Sequence, residues 1–108
     1  LYLITRADLA PGTQVCHAAH AALDFAIAHP AVTARWHAAS NTLVVLAAPD
    51  ELSLGWLCDD AAAAGLLVVR FHEPDLGGAL TAAALEPAAA RLVSRLPLAF
   101  SHGEEVRT

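Results

Sequence analysis

Four short apolar runs, Leu1–Thr5, Leu43–Ala47, Leu66–Phe71 and Leu80–Leu85, alternate with alanine-rich stretches marked off by proline and glycine. No other feature constrains the fold as much. Short β-prone runs read as strands, the second and third buried on both faces, and the longer stretches between them read as helices. Pro11 suits the first turn of a helix, where its missing N–H costs nothing, and Pro30 bars that helix from continuing past about Ala28. Pro30 opens a short second helix through Trp36. Pro49-Asp50-Glu51 starts a third, which stops at Gly65, and Pro87 starts a fourth through about Leu96. The order is β-α-α-β-α-β-β-α. Strands separated by helices need right-handed crossovers and at least partly parallel pairing. The expected fold is an α/β domain, a mixed four-stranded sheet with helices on both faces, over residues 1–100, followed by a polar tail at 101–108.

Helical spacing assigns each helix a face. In the first, Val15, Ala18, Ala19, Ala22 and Ala26 form the expected core stripe, and Thr13, His17, His20 and Asp24 cluster within roughly 60° on the other side. In the third, Leu54, Leu57, Cys58, Ala61 and Ala64 form the buried stripe. Trp36 and Trp56 read as packing anchors.

Composition narrows the function classes. With 108 residues, 56% of them hydrophobic, the chain has material for one core. Mean hydropathy is +0.49, yet the longest apolar run, Ala61 to Val69, is far short of the ~20 residues that span a bilayer. No cationic start followed by an apolar stretch marks a signal peptide. Cys16 and Cys58 both fall inside helical patterns, which suits a reducing, cytosolic compartment. All six basic residues are arginine and the net charge is −5, the opposite of the cationic excess usual in nucleic-acid binders.

Three segments carry chemistry. The opening of the first helix, Asp8 to Ala22, places free N–H donors at the carboxyl edge of the sheet, where anions and ligands bind. Phe71-His72-Glu73-Pro74-Asp75-Leu76 is an acidic turn leaving a strand, and Thr81 begins the next strand after Gly77-Gly78. In this order they resemble the type 2 peptidyl-tRNA hydrolases. That family opens its first helix with Gly-Lys, continues with Gln-Cys-Ser-His-Ala, has an acidic turn after its third strand and a threonine starting its fourth. Gly12 matches the glycine, His20-Ala21 the His-Ala, and Thr81 the threonine. Ser40-Asn41 before Leu43-Val44-Val45-Leu46 is similar to the family's second strand, and Asp50 to Gly65 to its third helix. The resemblance runs from Leu1 to about Leu96, and Pro11-Gly12-Thr13-Gln14 ahead of His20-Ala21 looks like a divergent bacterial branch. Departures are equally plain. Thr13 stands where the family has lysine, His17 where it has glutamine, and His72-Glu73-Pro74-Asp75 where it has Arg-Asp-Ala-Gly.

The resemblance implies hydrolysis of the ester joining a peptide to the tRNA 3′ end. Glu73 or Asp75 then takes the role of base or water-orienting group, His20 orients water or ribose, and Thr81 donates a hydrogen bond. Gly12, Thr13, Gln14, His17 and Arg6 are the implied substrate-binding residues, and Arg6 or Arg70 could supply the cation lost at Thr13. No metal or organic cofactor is implied. A spacing of three between His17 and His20, beside Cys16, falls short of the three or four matched ligands of a zinc site. The implied partner is peptidyl-tRNA, weakly held, with no membrane partner, and the family resemblance implies a homodimer. The rival reading is a non-catalytic binding domain of the same fold, which the acidic charge and Thr13 favour.

Overall fold

A computed structural model describes residues 1–101; the expected polar tail lies, beyond Ser101, outside the described residues. Its strands are β1 (Tyr2–Arg6), β2 (Val44–Ala48), β3 (Val68–Glu73) and β4 (Ala79–Leu85), and its longer helices are α1 (Pro11–Ala28), α2 (Pro30–Ala39) and α3 (Glu51–Ala63). The terminal helix α4 is one turn, Ala90–Val93, after a 3₁₀ turn at Pro87–Ala89, shorter than the helix to Leu96 that the sequence suggests. The order β-α-α-β-α-β-β-α is as expected.

The sheet runs β2-β1-β4-β3. β1 pairs with β2 in parallel (Tyr2 opposite Val44), β4 is antiparallel to both β1 (Thr5 opposite Ala82) and β3 (Phe71 opposite Ala82), so the sheet is mixed. Side chains alternate between two cores. Leu3, Ala82 and Ala84 pack with Ala18, Ala21 and Phe25 of α1 on one face. Ile4, Ala83 and Leu85 pack with Leu54, Cys58 and Ala61 of α3 and Val93 of α4 on the other. Ala82, Ala83 and Ala84 are fully buried, and their single methyls let a helix settle close on each face of the same strand.

Local sequence explains the helix ends. Pro11 sits in the first turn of α1. Asp50 caps α3, its Oδ1 accepting the Ser53 N–H at 2.8 Å, which holds the Asp50 carboxyl below its ordinary range. Gly65, just past α3, takes φ +77, a left-handed conformation that costs glycine little.

Three expectations need correction. The core stripe of α1 is Gln14, His17, Ala18, Ala21 and Phe25 rather than Val15, Ala18, Ala19, Ala22 and Ala26. Val15 is 56% exposed and His17 only 8%, so His17 belongs to the inner face, not the solvent face. β3 is an edge strand whose residues are mostly half-buried, not a fully buried one. Trp36 packs against the α1-side core and donates its Nε1–H to the Thr42 carbonyl, whereas Trp56 is 60% exposed and anchors nothing. The free edge of β2 is covered by the chain's last described stretch: the Ala47 N–H donates to the Pro97 carbonyl and the Ala99 N–H to the Val45 carbonyl. No described helix is long and apolar enough to cross a membrane.

Candidate functional site

Strand directions bring the three chemical segments to one edge of the sheet. β1 and β3 both end there, β4 begins there, and α1 starts from it after the loop at Ala7–Ala10. Parallel strands with intervening helices bind ligands at this carboxyl edge. Pro11 has no N–H, and the Gln14 N–H already bonds the Ala10 carbonyl at 3.0 Å. The free donors of the first turn are therefore those of Gly12 and Thr13.

The inner face of α1 carries two polar side chains, each with partners at this edge. Gln14 donates Nε2–H to the Leu9 carbonyl at 2.7 Å and accepts the Thr5 hydroxyl at 2.9 Å, which ties the loop to β1. His17 crosses to β3: its Nε2 stands 3.2 Å from Glu73 Oε2, with the two side chains 10% and 15% exposed. The His17 Nδ1 is buried and has no hydrogen-bond partner among the described residues. Glu73 is fixed from its other side as well, because Oε1 accepts the Asp75 N–H at 3.0 Å within the 3₁₀ turn Pro74–Leu76. Gly77 and Gly78 follow at φ +67 and +79, and His72 donates Nδ1–H to the Gly78 carbonyl at 3.0 Å, closing the turn into β4.

Phe71 links the two histidines. His20, exposed, stacks flat on its ring with centroids 4.9 Å apart and an interplanar angle of 9°, and His17 meets the same ring tilted at 5.4 Å. The structure thus joins His17, His20, Phe71 and Glu73 into one cluster. Phe71 is a member that sequence reasoning missed, since an aromatic at a strand end reads as core. Asp75 lies exposed at the tip of the turn and reaches the cluster through its amide. Asp24 is exposed one turn beyond His20.

Thr81 occupies an irregular position. Phe71 pairs with Ala82 but His72 with Leu80, so Thr81 is an extra residue, a β-bulge in β4. It is fully buried and its hydroxyl has no partner among the described residues. Arg6 is likewise engaged within the protein. Its Nε and Nη2 bond both oxygens of Asp8 at 3.0 and 2.9 Å, its Nη1 donates to the Leu80 carbonyl at 3.1 Å, and its side chain is 12% exposed. These bonds hold the Asp8 carboxyl below its usual range. Arg70 pairs with Asp59 at 2.9 Å. A hollow of about 620 Å³ lies by Pro11, Gly12, Gln14, Ala47 and Phe100, and His17, Glu73 and Thr81 are not among its lining residues. The hollow is mostly apolar, whereas the His17–Glu73 cluster gathers ionisable side chains.

Among the described residues no three His, Cys, Asp or Glu side chains converge as metal ligands. Cys16 and Cys58 are unpaired, and burial pushes the Cys58 thiol up to about 11.

The class these features define is a small α/β domain with an acid–imidazole cluster at the carboxyl edge of its sheet. The family model described as peptidyl-tRNA hydrolase PTH2 matches residues 1–100, and the chain belongs to that family. It is a peptidyl-tRNA hydrolase-like protein. Among curated proteins, no individual relative matches the chain.

Proposed function

We propose that the chain hydrolyses the ester between a peptide and the 3′ end of tRNA, with Glu73 as the base. The observation that carries this reading is the contact of Glu73 with His17 across the α1–β3 junction, 3.2 Å, inside a mostly closed environment. A carboxylate fixed by an amide on one oxygen and an imidazole on the other is oriented before substrate arrives. Glu73 takes a proton from water, the oxygen attacks the ester carbonyl, and the free N–H groups of Gly12 and Thr13 face the charge that develops on the carbonyl oxygen. Collapse breaks the carbon–oxygen bond to the ribose, which leaves with the proton. His20, held flat by Phe71, orients the water or the ribose, Asp75 holds Glu73 through its amide, and the buried, unpartnered Thr81 hydroxyl is the further donor.

The exposed apolar row Val15, Leu23 and Ile27 along α1, continued by Leu43 and Phe100, supports a homodimer packed through this face. Pro11-Gly12-Thr13-Gln14 supports the bacterial branch, and the two unpaired cysteines support a cytosolic setting. One observation favours the rival, a binding domain without turnover: Arg6 and Arg70, the cations that could replace lysine at Thr13, are both bound to carboxylates. Single-turnover hydrolysis of a peptidyl-tRNA by the wild type and Glu73→Gln decides between them. A loss of about 10² or more in rate supports the base role; equal, background rates leave the binding domain.

A further inference from the structure

Leu80 sits where β4 has run past the end of its neighbour. The β1–β4 register stops at Thr5 opposite Ala82, and β1 then turns away, with the Ala7 N–H on the Ala48 carbonyl. The Leu80 peptide groups would have no strand to bond on that side. Two side chains take the strand's place. Glu51 Oε2 accepts the Leu80 N–H at 2.8 Å, and Arg6 Nη1 donates to the Leu80 carbonyl at 3.1 Å. Both are themselves held. Arg6 is forked onto Asp8 and lies 4.0 Å from the second Glu51 oxygen, and Glu51 stands in the first turn of α3 beside its cap Asp50. The next residue is Thr81, the bulge, buried with an unpartnered hydroxyl.

We infer that Glu51 and Arg6 are positioning residues of the reaction: they clamp both peptide groups of Leu80 and so fix the bulge that sets the Thr81 hydroxyl against the site. A bulge left without partners relaxes toward regular pairing, which would move Thr81 by one register position. A clamp of side chains does what a longer β1 could not, since it fixes β4 while β1 turns off to deliver the loop and the N-terminus of α1. This assignment deepens the hydrolase reading and rests on it, and it explains why Arg6 is spent inside the protein rather than offered to phosphate.

The experiment compares Glu51→Ala and Glu51→Gln in the full chain, each alone and with Thr81→Val, measuring kcat and KM on peptidyl-tRNA and amide hydrogen exchange at Leu80. Glu51→Ala is expected to lower kcat by about tenfold or more, with KM held within about twofold, because a displacement of the donor damages the transition state more than binding. Glu51→Gln, whose amide oxygen still accepts the Leu80 N–H, should restore most of the loss. In the Thr81→Val background the effect of Glu51→Ala on kcat should shrink to about threefold or less, because the group being positioned is gone. A wild-type kcat in Glu51→Ala, or an equal loss in both backgrounds, overturns the inference while leaving hydrolysis standing. If the wild type itself does not turn over, the hydrolase reading has failed and hydrogen exchange decides the clamp. Faster exchange confined to Leu80 and Thr81 in Glu51→Ala supports it; unchanged exchange there overturns it.

Discussion

Thr81 is buried at 0% exposure with a hydroxyl that bonds nothing among the described residues. An unpaired hydroxyl in an apolar setting costs about 1–3 kcal/mol, and a fold keeps such a group when it has work beyond stability. Valine matches threonine in shape without the hydroxyl, so Thr81→Val should raise the thermal midpoint by several degrees while lowering turnover on peptidyl-tRNA. Calorimetry and single-turnover rates together check it; a lower midpoint with full turnover would reverse the assignment. Asp8 gives a second test at this scale. Arg6 holds its carboxyl below the ordinary value of 3.8, so its stabilising contribution is full above about pH 4 and is lost as pH falls through the depressed folded value. Asp8→Asn should flatten the acid limb of a midpoint-versus-pH curve below about pH 4 and leave the neutral region nearly level. Thr81 stood out as a candidate from its place after Gly77-Gly78, but its burial was not legible, because a one-residue bulge leaves no trace in a run of alanines.

Elements were legible where proline and glycine cut the chain, and illegible where alanine blurs the faces. In α1 the alanines lie all round the helix, so its apolar stripe can be drawn along more than one line. The larger apolar residues Val15, Leu23 and Ile27 turned out exposed, and the polar Gln14 and His17 went inside because partners wait there: the Leu9 carbonyl and Thr5 for one, Glu73 for the other. Spacing within a single helix cannot report a partner on another element. Phe25→Ala, on a fully buried ring, should cost about 3–5 kcal/mol, whereas Ile27→Ala, at 80% exposure, should stay within about 0.5 kcal/mol in the monomer. Urea unfolding at low concentration measures both, and comparable losses would contradict the inner face of α1 that carries Phe25. The edge strands misled for a related reason. β2 and β3 carry apolar residues on both faces like central strands, but their outer margins lie at the ends of the β2-β1-β4-β3 order, which only long-range pairing fixes.

At the scale of the molecule, charge and the apolar α1 face decide what the protein can meet. If Val15, Leu23 and Ile27 form a dimer seam, Leu23→Arg should halve the solution mass by light scattering without lowering the monomer's midpoint, since Leu23 is 63% exposed. An unchanged mass would remove the dimer. Electrostatics bears on the substrate. The net charge is −5 with no lysine, and two of the six arginines, Arg6 and Arg70, are paired to Asp8 and Asp59. Few cations remain to displace counterions from RNA, so affinity for tRNA should fall only shallowly with salt, each phosphate contact adding about 0.7–0.9 to the log–log slope. Thr13 stands in the first turn of α1, half-buried, where the family has lysine. A hydroxyl there donates a hydrogen bond but cannot neutralise a developing oxyanion or a phosphate. Thr13→Lys should therefore raise single-turnover hydrolysis by up to about 10²-fold and steepen the salt slope by about 0.7–0.9, the signature of one added phosphate contact. Stability should shift by no more than about 0.5 kcal/mol, because the Thr13 side chain makes no hydrogen bond that folding depends on. Rates measured across a salt series for both forms separate the two effects. A steeper slope without faster turnover would place the lysine on the tRNA backbone alone, and neither change would mean that this end of α1 does not face the substrate.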